Sequence, residues 1–435
     1  MAKMKDSGIE WIGEIPEDWN VTKLKYEFDF GKGLPITKDN LIEIGLPVVS
    51  YGQIHSKLNN GTSINPVLLR YVKPYYQFTN PQSRVKKGDF IFADTSEDLE
   101  GCGNAVLKCD DSDLFAGYHS IIMHSHKPEY AKYFSYLFLT NEWRNQLRSR
   151  VYGVKVLSVT QTIFKFTSII LPPPETQKRI ADFLDEKCAK IDGLKNDIQK
   201  QIEILEQYKK SVITEAVTKG INPNAKMKDS GVEWIGKIPE HWEVSNPKWH
   251  FAQRKDRAKL GLKQYTASQK YGVISQEEYM ERTGAKIVTV AKDFDILKLV
   301  CPGDFVIHMR SFQGGLEYSE SYGSISSAYV MLIPQKTIAN PRYYRWFFKS
   351  PVYIDALSST SNLIRDGQAM RYANFVQIPI LIPTVDEQTD IADYLDKKCS
   401  SIEGIISTKK QQLEKLEEYK KSLIFEYVTG KKEVV

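Results

Sequence analysis

The sequence of 435 residues is poor in several features that would point to particular classes of protein. Five cysteines without close pairing argue against a disulfide framework and for a reducing compartment, so we expect a cytoplasmic protein. No apolar run reaches about 18 residues and the first residues are polar, so neither a membrane span nor a signal peptide is expected. A net charge of +5 permits binding to nucleic acid without requiring it.

Motifs of the common nucleotide-dependent and metal-dependent enzymes are also missing. The sequence has no Walker A motif, no dinucleotide fingerprint, no Cys-x-x-Cys and no His-Glu-x-x-His. None of its five Asn-Pro dipeptides continues into the Pro-aromatic pair that adenine methylation would need. Cys102, Cys109, His124 and His126 lack finger-type spacing, so ordinary strand and loop residues are a better interpretation than a zinc site. We therefore expect no catalysis and no bound cofactor in this chain.

What the sequence has instead is a repeated helical segment. Residues 177–218 and 388–429 align without a gap at an offset of 211, and 22 of their 42 positions are identical. Both copies lack proline and are rich in Leu, Ile, Glu, Lys and Gln, which predicts two long helices.

Apolar residues recur along both copies in steps of three and four, which is typical of helices that pack in pairs. Two glutamines interrupt this pattern at equivalent positions, and a polar residue there can fix register at some cost in stability. Packing of each helix on an ordinary globular core is the alternative, but the equality of the copies favours a helix pair. The predicted seam consists of Ile191, Leu194, Ile198, Gln201, Leu205, Tyr208 and Val212, and of Ile402, Ile405, Gln412, Leu416, Tyr419 and Leu423.

A second repeat, here named the tryptophan motif, comprises residues 3–21 and 226–244. The copies match at 15 of 19 positions with an offset of 223. Because indoles bury a large area, we interpret the motif as a segment that packs against the protein itself, with contact to a partner as the alternative. Two tryptophans flank an Ile-Pro turn in each copy, namely Trp11, Trp19, Trp234 and Trp242.

Each tryptophan motif is separated from the following helix by a region that shares little sequence with its counterpart. Short β-type runs alternate there with Gly, Asn and Asp, which predicts two compact α+β domains of about 150 residues. The predicted boundaries are 1–174 for the first domain with its motif, 175–220 for the first helix, 221–383 for the second domain and 384–435 for the second helix.

In combination, these features resemble the specificity subunits of type I restriction-modification systems over essentially the whole chain. The resemblance rests on the tryptophan motifs and on Pro-x-x-x-Gln at 173–177 and Pro-x-x-x-x-Gln at 383–388, each continuing into Ile-Ala-Asp-x-Leu-Asp. The second domain also resembles one class of target recognition domain at residues 272–274, 303–305, 309–315 and 327–329.

The resemblance implies an α+β fold in which two globular target recognition domains are separated by two long antiparallel helices. These helices would form a coiled-coil spacer, and the internal duplication would give the chain a pseudo-twofold relation. A helix of 42 residues is about 60 Å long and one DNA turn is about 34–36 Å, so readers at opposite ends could reach successive major grooves.

The same resemblance implies that each domain reads one half of a bipartite DNA site, with the helices setting the spacing and docking methyltransferase subunits. The site should be asymmetric, because the two variable domains differ. The implied partners are double-stranded DNA, two methyltransferase subunits that bind AdoMet, and restriction subunits that use ATP. An autonomous DNA-binding regulator is the alternative, which the lack of a helix-turn-helix motif disfavours.

Base-edge contacts specify a DNA sequence and phosphate contacts position the protein, so polar and cationic loop residues are the predicted readers. In the first domain these are Lys32, Lys38, Tyr51, Gln53, His55, Asp94, Thr95, Ser96, Arg148, Arg150, Tyr152 and Lys155. In the second domain they are Tyr265, Ser268, Gln269, Tyr271, His308, Arg310, Ser311, Gln313, Arg365 and Arg371.

Overall fold

The computed structural model describes residues 3–10, 12–153, 155–287, 296–335, 340–360 and 370–434, so Trp11 and Arg365 lie outside the described residues. The chain forms two compact units. The first unit comprises Met1–Ile198 and Gln411–Val435, and the second unit comprises Gln199–Lys410. Each unit contains one α+β domain and a part of each long helix. The units are therefore divided within the helices, and the predicted boundaries at the helix ends stay a prediction.

The domain of the first unit is built on a four-stranded antiparallel sheet with a smaller sheet beside it. The strand order of the large sheet is Phe28–Lys32, Ser120–Ser125, Phe90–Ala93 and Ala105–Leu107. The smaller sheet has the order Phe115–Ala116, Leu46–Val49 and Arg70–Val72. Two-stranded pairs join Met4–Asp6 to Glu14–Pro16, Asn20–Lys23 to Ser168–Leu171, and Thr95–Ser96 to Leu157–Ser158. The short α-helices are Tyr51–Ile54, Tyr76–Thr79, Ala131–Leu137, Asn141–Arg148 and Gln161–Phe166.

The domain of the second unit repeats the four-stranded antiparallel sheet with different surroundings. Its strand order is Phe251–Gln253, Val330–Pro334, Phe305–Ile307 and Glu317–Tyr318. Two-stranded pairs join Met227–Asp229 to Lys237–Pro239, Glu243–Ser245 to Ile380–Ile382, Tyr265–Ser268 to Gly272–Ser275, and Lys298–Val300 to Gly323–Ile325. The short α-helices are Gln276–Thr283, Ser311–Gly314, Pro341–Phe347, Pro351–Ser359 and Tyr372–Phe375.

A Gly-Asp-Phe turn enters the central sheet in the same way in both units. The buried carboxylate of Asp89 accepts a hydrogen bond from the Lys86 amide at 2.8 Å and contacts His124 Nδ1 at 2.7 Å. Asp304, which is 1% exposed, accepts from the Cys301 amide at 2.9 Å and from two guanidinium nitrogens of Arg254 at 2.8 Å each. A buried carboxylate that closes its own turn and also contacts a cationic or imidazole side chain is therefore common to both domains.

Two long helices follow the domains: the first long helix is Pro174–Lys219 and the second long helix is Val385–Val428. Their starts explain the glutamine of each motif, because its buried side-chain amide donates to the proline carbonyl five residues earlier. Gln177 donates to Pro172 at 2.8 Å and Gln388 donates to Pro383 at 3.0 Å. No helix in the described ranges is long and apolar enough to cross a membrane. The predicted class, two α+β domains with two long helices, is confirmed.

Within each unit the two long helices pack against each other in antiparallel fashion. In the first unit Lys420 pairs with Asp192 at 2.7 Å and Lys195 pairs with Glu417. In the second unit Lys209 pairs with Glu403. Buried and half-buried residues follow the steps of three and four that such packing requires. They are Cys188, Ile191, Lys195, Ile198, Leu413, Leu416, Lys420 and Leu423 in the first unit, and Ile202, Leu205, Lys209, Val212, Leu395, Cys399, Ile402, Ile406 and Lys409 in the second.

The predicted seam was therefore wrong at every seventh position. Leu194, Tyr208, Ile405 and Tyr419 are 54%, 46%, 45% and 57% exposed, and the exposed Gln201 and Gln412 lie on the same stripe. From this stripe Gln201 and Tyr208 still contact the other helix, because Gln201 accepts from Lys409 and the Tyr208 ring lies 5.5 Å from Lys398 Nζ. The seam instead includes lysines whose apolar stems pack between the helices while their ammonium groups reach carboxylates on the other helix. A prediction that accepts only apolar residues in the seam passes over these lysines and selects the neighbouring apolar side chain.

The tryptophan motif packs at the carboxyl end of a long helix in each unit. Trp19 and Trp242 are 4% and 0% exposed, as the packing interpretation requires. Gly430 and Gly220 follow the two helices with φ of +71° and +76°, and a Cβ on Gly430 would lie 2.4 Å from Pro16. A buried tyrosine of each domain completes the contact: Tyr133 donates to the Val428 carbonyl at 3.0 Å and Tyr343 donates to the Val217 carbonyl at 2.9 Å.

We predict that Tyr343→Phe lowers the free energy of unfolding of the second unit by about 1–3 kcal/mol, because it leaves the buried Val217 carbonyl without its donor. Urea denaturation measures the effect. Tyr419→Phe is the matched control, since that side chain is 57% exposed and its loss of a hydroxyl should leave the midpoint unchanged. An unchanged midpoint for Tyr343→Phe would contradict the assigned role of the hydroxyl.

Candidate nucleic-acid interface

An open groove of about 2000 Å³ lies in the first unit. Its walls are two domain loops, the helix Asn141–Arg148 and one flank of the helix pair. The groove brings together five of the predicted readers, namely Tyr51, His55, Thr95, Ser96 and Arg148. These five residues come from three separated parts of the sequence, so the fold and not their spacing assembles them.

The charges that line this groove balance. Because positive and negative side chains are equal in number, the groove as a whole does not attract phosphates, and neutral polar groups are better placed to discriminate ligands there. The cations are Lys57, Arg144, Arg148, Lys195, Lys420 and Lys421, and the anions are Glu97, Asp98, Glu100, Glu142, Asp192 and Glu417.

A chain of hydrogen bonds fixes the imidazole of His55 in the groove. His55 Nε2 lies 2.8 Å from the Thr95 carbonyl, and Nδ1 lies 3.1 Å from Asn104 Nδ2. Arg144 donates to Asn104 Oδ1 at 2.8 Å. Since a guanidinium can only donate, it holds the Asn104 oxygen toward itself and the amide NH₂ toward His55, so Nδ1 accepts and Nε2 donates to the Thr95 carbonyl.

Sequence analysis missed Asn104 and Arg144, although Arg144 begins a basic segment, residues 144–155, that contains four cations. Burial, followed by the neighbouring charge of Arg148, lowers the pKa of the Arg144 guanidinium to about 10, so this residue remains charged at neutral pH. Among the described residues it has no carboxylate partner and is held by neutral acceptors, including the Phe138 carbonyl at 2.8 Å.

Arg148 uses most of its donors inside the protein. Its Nε donates to the Leu99 carbonyl at 2.9 Å and its Nη2 to the Glu100 carbonyl at 3.2 Å, while Nη1 contacts Asn141 and Asn145 at 3.1 and 3.2 Å. The guanidinium therefore holds the loop that follows Ser96, and one N–H of its five remains for a ligand.

The other predicted readers of the first domain do not line the groove. Gln53 accepts from the Ser50 amide at 3.1 Å, and Asp94 lies 3.4 Å from His119. Ser96 does belong to the groove lining, but it is 4% exposed and donates to the Asp98 carbonyl at 2.7 Å, so the prediction that its hydroxyl faces DNA is wrong. The exposed members of this group are Lys32, Lys38, Arg150, Tyr152 and Lys155.

In the second unit the candidate reader is the loop Met309–Gly315, named here the arginine loop. It exposes Met309, Arg310 and Gln313 to solvent. His308 and Ser311 were predicted readers as well, but they are 6% and 0% exposed, so that prediction is wrong.

The buried side chains of His308 and Ser311 hold the arginine loop in place from its interior side. The Ser311 hydroxyl accepts from the His308 amide at 2.9 Å, and His308 Nδ1 accepts from the Arg310 amide at 3.3 Å. The far end of the loop is fixed at Gly315, with φ of +75°, where a Cβ would lie 2.0 Å from the Phe348 carbonyl oxygen.

A neighbouring hairpin supports the exposed side of the arginine loop. Gln269 donates to the Arg310 carbonyl at 3.0 Å, so the structure brings these two predicted readers together with Gln313. Tyr271 packs edge-on against Tyr279 and under the Arg282 guanidinium, while Tyr265 and Ser268 lie on the strand before it. The exposed Arg371 precedes the helix Tyr372–Phe375 and stays a predicted reader.

We predict that His308→Leu speeds hydrogen–deuterium exchange of the Arg310 amide about fivefold or more, because it removes an acceptor worth about 1 kcal/mol. His308→Asn should retain most of the protection, since its side-chain oxygen can take the place of Nδ1. Peptide-resolved exchange measures this, with the first-unit segment 51–55 as an internal control. Equal exchange in the leucine and asparagine variants would contradict the role of Nδ1.

Comparison with known proteins shows what this chain is similar to. The family described as type I restriction modification DNA specificity domain matches residues 16–204. A Methanocaldococcus jannaschii protein assigned as the specificity subunit of the type I restriction enzyme MjaX is 26% identical over 434 residues, which cover 97% of this chain and 95% of that protein.

Solved structures share the fold along nearly the whole chain. A chain from a structural study of complex assembly and conformational transition in a type I R-M system has a TM-score of 0.68 at 16% identity, covering 96% of this chain and 99% of that chain. The HsdS subunit from Thermoanaerobacter tengcongensis has a TM-score of 0.51 at 15% identity, with 96% and 98% covered.

Proposed function

Because this chain belongs to the specificity subunits of type I restriction-modification systems, we propose that its two variable domains read the two unlike halves of one bipartite site in double-stranded DNA. One observation carries this proposal: the two units share a frame but expose different polar surfaces. Both have the Gly-Asp-Phe turn, the buried glutamine at the helix start and the buried tyrosine on the opposite helix. A common frame with unlike readers favours an asymmetric site.

The second domain offers the clearer base reader. Arg310 is exposed on a loop that is fixed at both ends, and a guanidinium can donate two hydrogen bonds to the O6 and N7 atoms of guanine. Gln313 on the same loop has the amide that suits adenine. In the first domain, His55 presents a ring of fixed tautomer in a groove without net charge, which suits contact with base edges more than with phosphates.

The long helices would set the spacing between the half-sites and dock the methyltransferase subunits. They are uninterrupted over 46 and 44 residues, so they are stiff enough to act as a spacer. Leu194, Tyr208, Ile405 and Tyr419 each immediately precede a seam position, and positions of this kind share one flank of an antiparallel pair. Each unit thus exposes one aliphatic and one tyrosine side chain on that flank, while the other flank of the first unit lines the groove.

We assign the chemistry to partner subunits. The sequence contains no methylation or nucleotide-binding motif, so AdoMet would bind to the methyltransferase subunits and ATP to the restriction subunits. Two methyltransferase subunits suit a chain in which every element of the frame occurs twice.

The experiment that tests the proposal is a map of methylated adenines in DNA exposed to the complex of this chain with its methyltransferase subunits. We expect two different short sequences at a constant spacing, with one adenine modified in each. A palindromic target, a contiguous target, or methylation that does not depend on this chain would contradict the proposal.

We predict that Arg310→Ala weakens binding to the cognate site by about 1–3 kcal/mol and weakens binding to a duplex with a scrambled second half-site much less. Fluorescence anisotropy at fixed salt measures both affinities. Arg345→Ala is the matched control, because this arginine is also exposed in the second unit but lies on the helix Pro341–Phe347. Equal losses on both duplexes would identify Arg310 as a phosphate contact instead.

A further inference from the structure

One exposed surface feature outside the long helices occurs at the same place in both units. Lys25 and Tyr26 form the end of a 3-10 turn in the first unit, and Lys248 and Trp249 do so in the second. The offset between them is 223, as for the tryptophan motifs. We name these two features the lysine–aromatic steps.

Each lysine–aromatic step presents its ring to solvent with the ammonium group above it. Tyr26 is 61% exposed and Trp249 is 67% exposed. Lys25 Nζ lies 4.8 Å from the centre of the Tyr26 ring, and Lys248 Nζ lies 4.7 Å from that of Trp249. In the first unit the aromatic surface continues, since Lys25 Nζ also lies 5.2 Å from the ring of Phe166, which is 51% exposed.

The backbone under the two steps is equally anchored, although the sequences around them differ. Leu24 and Pro247, directly before the lysines, are buried, and so are Phe28 and Phe251, two positions after the aromatic residues. The strand that precedes each step pairs with the strand that leads into a long helix. The steps therefore belong to the common frame and not to the variable reading surfaces.

An exposed indole or phenol is unfavourable in water and is typical of interface anchors. Here the residue type differs between the two units, Tyr in one and Trp in the other, yet exposure and the neighbouring lysine are the same. Neither Lys25 nor Lys248 forms an ion pair with any described residue, so both ammonium groups are available to carboxylates of a partner. A partner that meets the same surface twice must itself be present in two copies.

We propose that the two lysine–aromatic steps are docking sites for the two methyltransferase subunits, one step for each copy, with the aromatic ring as the apolar anchor and the lysine facing an acidic patch. The proposal rests on the proposed function, because it takes its partner from there. It extends the docking surface from the helices to the edge of each domain.

Because there are two steps, the test counts how many methyltransferase subunits bind to each chain. The chain is co-expressed with its methyltransferase subunit, and native mass spectrometry counts the copies bound to wild type, Tyr26→Ala, Trp249→Ala and the double variant. We expect two copies on wild type and mainly one on either single variant. The affinity for the copy that docks on the changed step should fall at least about tenfold. The double variant should lose both copies at the same concentration.

Phe78→Ala is the matched control, because Phe78 is 78% exposed in the first unit and belongs to no repeated step. It should keep two copies, and the melting temperatures of all variants should match wild type, since the changed side chains are exposed. Two tightly bound copies on the double variant would overturn this inference but not the proposed function. The same holds if assembly is unchanged and binding to non-specific DNA is weaker, a result that would identify the steps as phosphate contacts. Wild type that binds no methyltransferase subunit would overturn the proposed function as well.

Discussion

The ion pairs between the long helices are the constraint on which the rest of the structure depends. Lys420 reaches Asp192 in the first unit and Lys209 reaches Glu403 in the second. These two pairs are equivalent under the repeat, because an offset of 211 takes residue 192 to 403 and residue 209 to 420. Slippage of one helix along the other would leave half-buried lysines in the seam without a carboxylate, which costs more than the pairs themselves contribute. The register of the two helices within each unit is set at these points.

The same helices connect the constant and variable parts of each unit. A domain is attached at its own helix start through a buried glutamine and at the end of the other helix through a buried tyrosine. Between these attachments the two central sheets agree in strand order, but the elements around them do not. The first unit has an open groove lined by equal numbers of positive and negative side chains, and the second unit has a short loop with an exposed arginine. The reading surfaces can therefore differ between the units while the contacts that attach each domain to the helices stay the same.

The sequence allowed the frame to be predicted, since a gapless repeat with heptad spacing and no interior proline has few structural solutions. Both repeated segments form the long helices, Pro174–Lys219 and Val385–Val428. The seam itself was mistaken because hydrophobicity alone does not show that a lysine stem can pack between helices while its charge is paired. Leu194 and Tyr208 are the better apolar residues, yet Lys195 and Lys209 occupy the seam.

The reading surfaces were harder to predict for a different reason. Whether a loop side chain faces solvent depends on contacts that have no period in the sequence. Ser311 and Arg310 are neighbours, but one closes the turn from inside and the other is exposed. Asn104 fixes His55 only because Arg144 orients its amide, and no motif links these three positions. Composition could supply the candidates, while burial and hydrogen bonding were needed to choose among them.

The most direct measurement replaces residues 22–167 by a second copy of residues 245–378, so that both positions of the frame carry the same variable segment. The methylated adenines of DNA treated with the assembled complex are then mapped. If the frame is common and the inserts are the readers, the target becomes symmetric, with both halves equal to the sequence that the second domain reads. A properly folded exchange protein that still directs methylation to the original asymmetric site would show that recognition resides elsewhere in the chain.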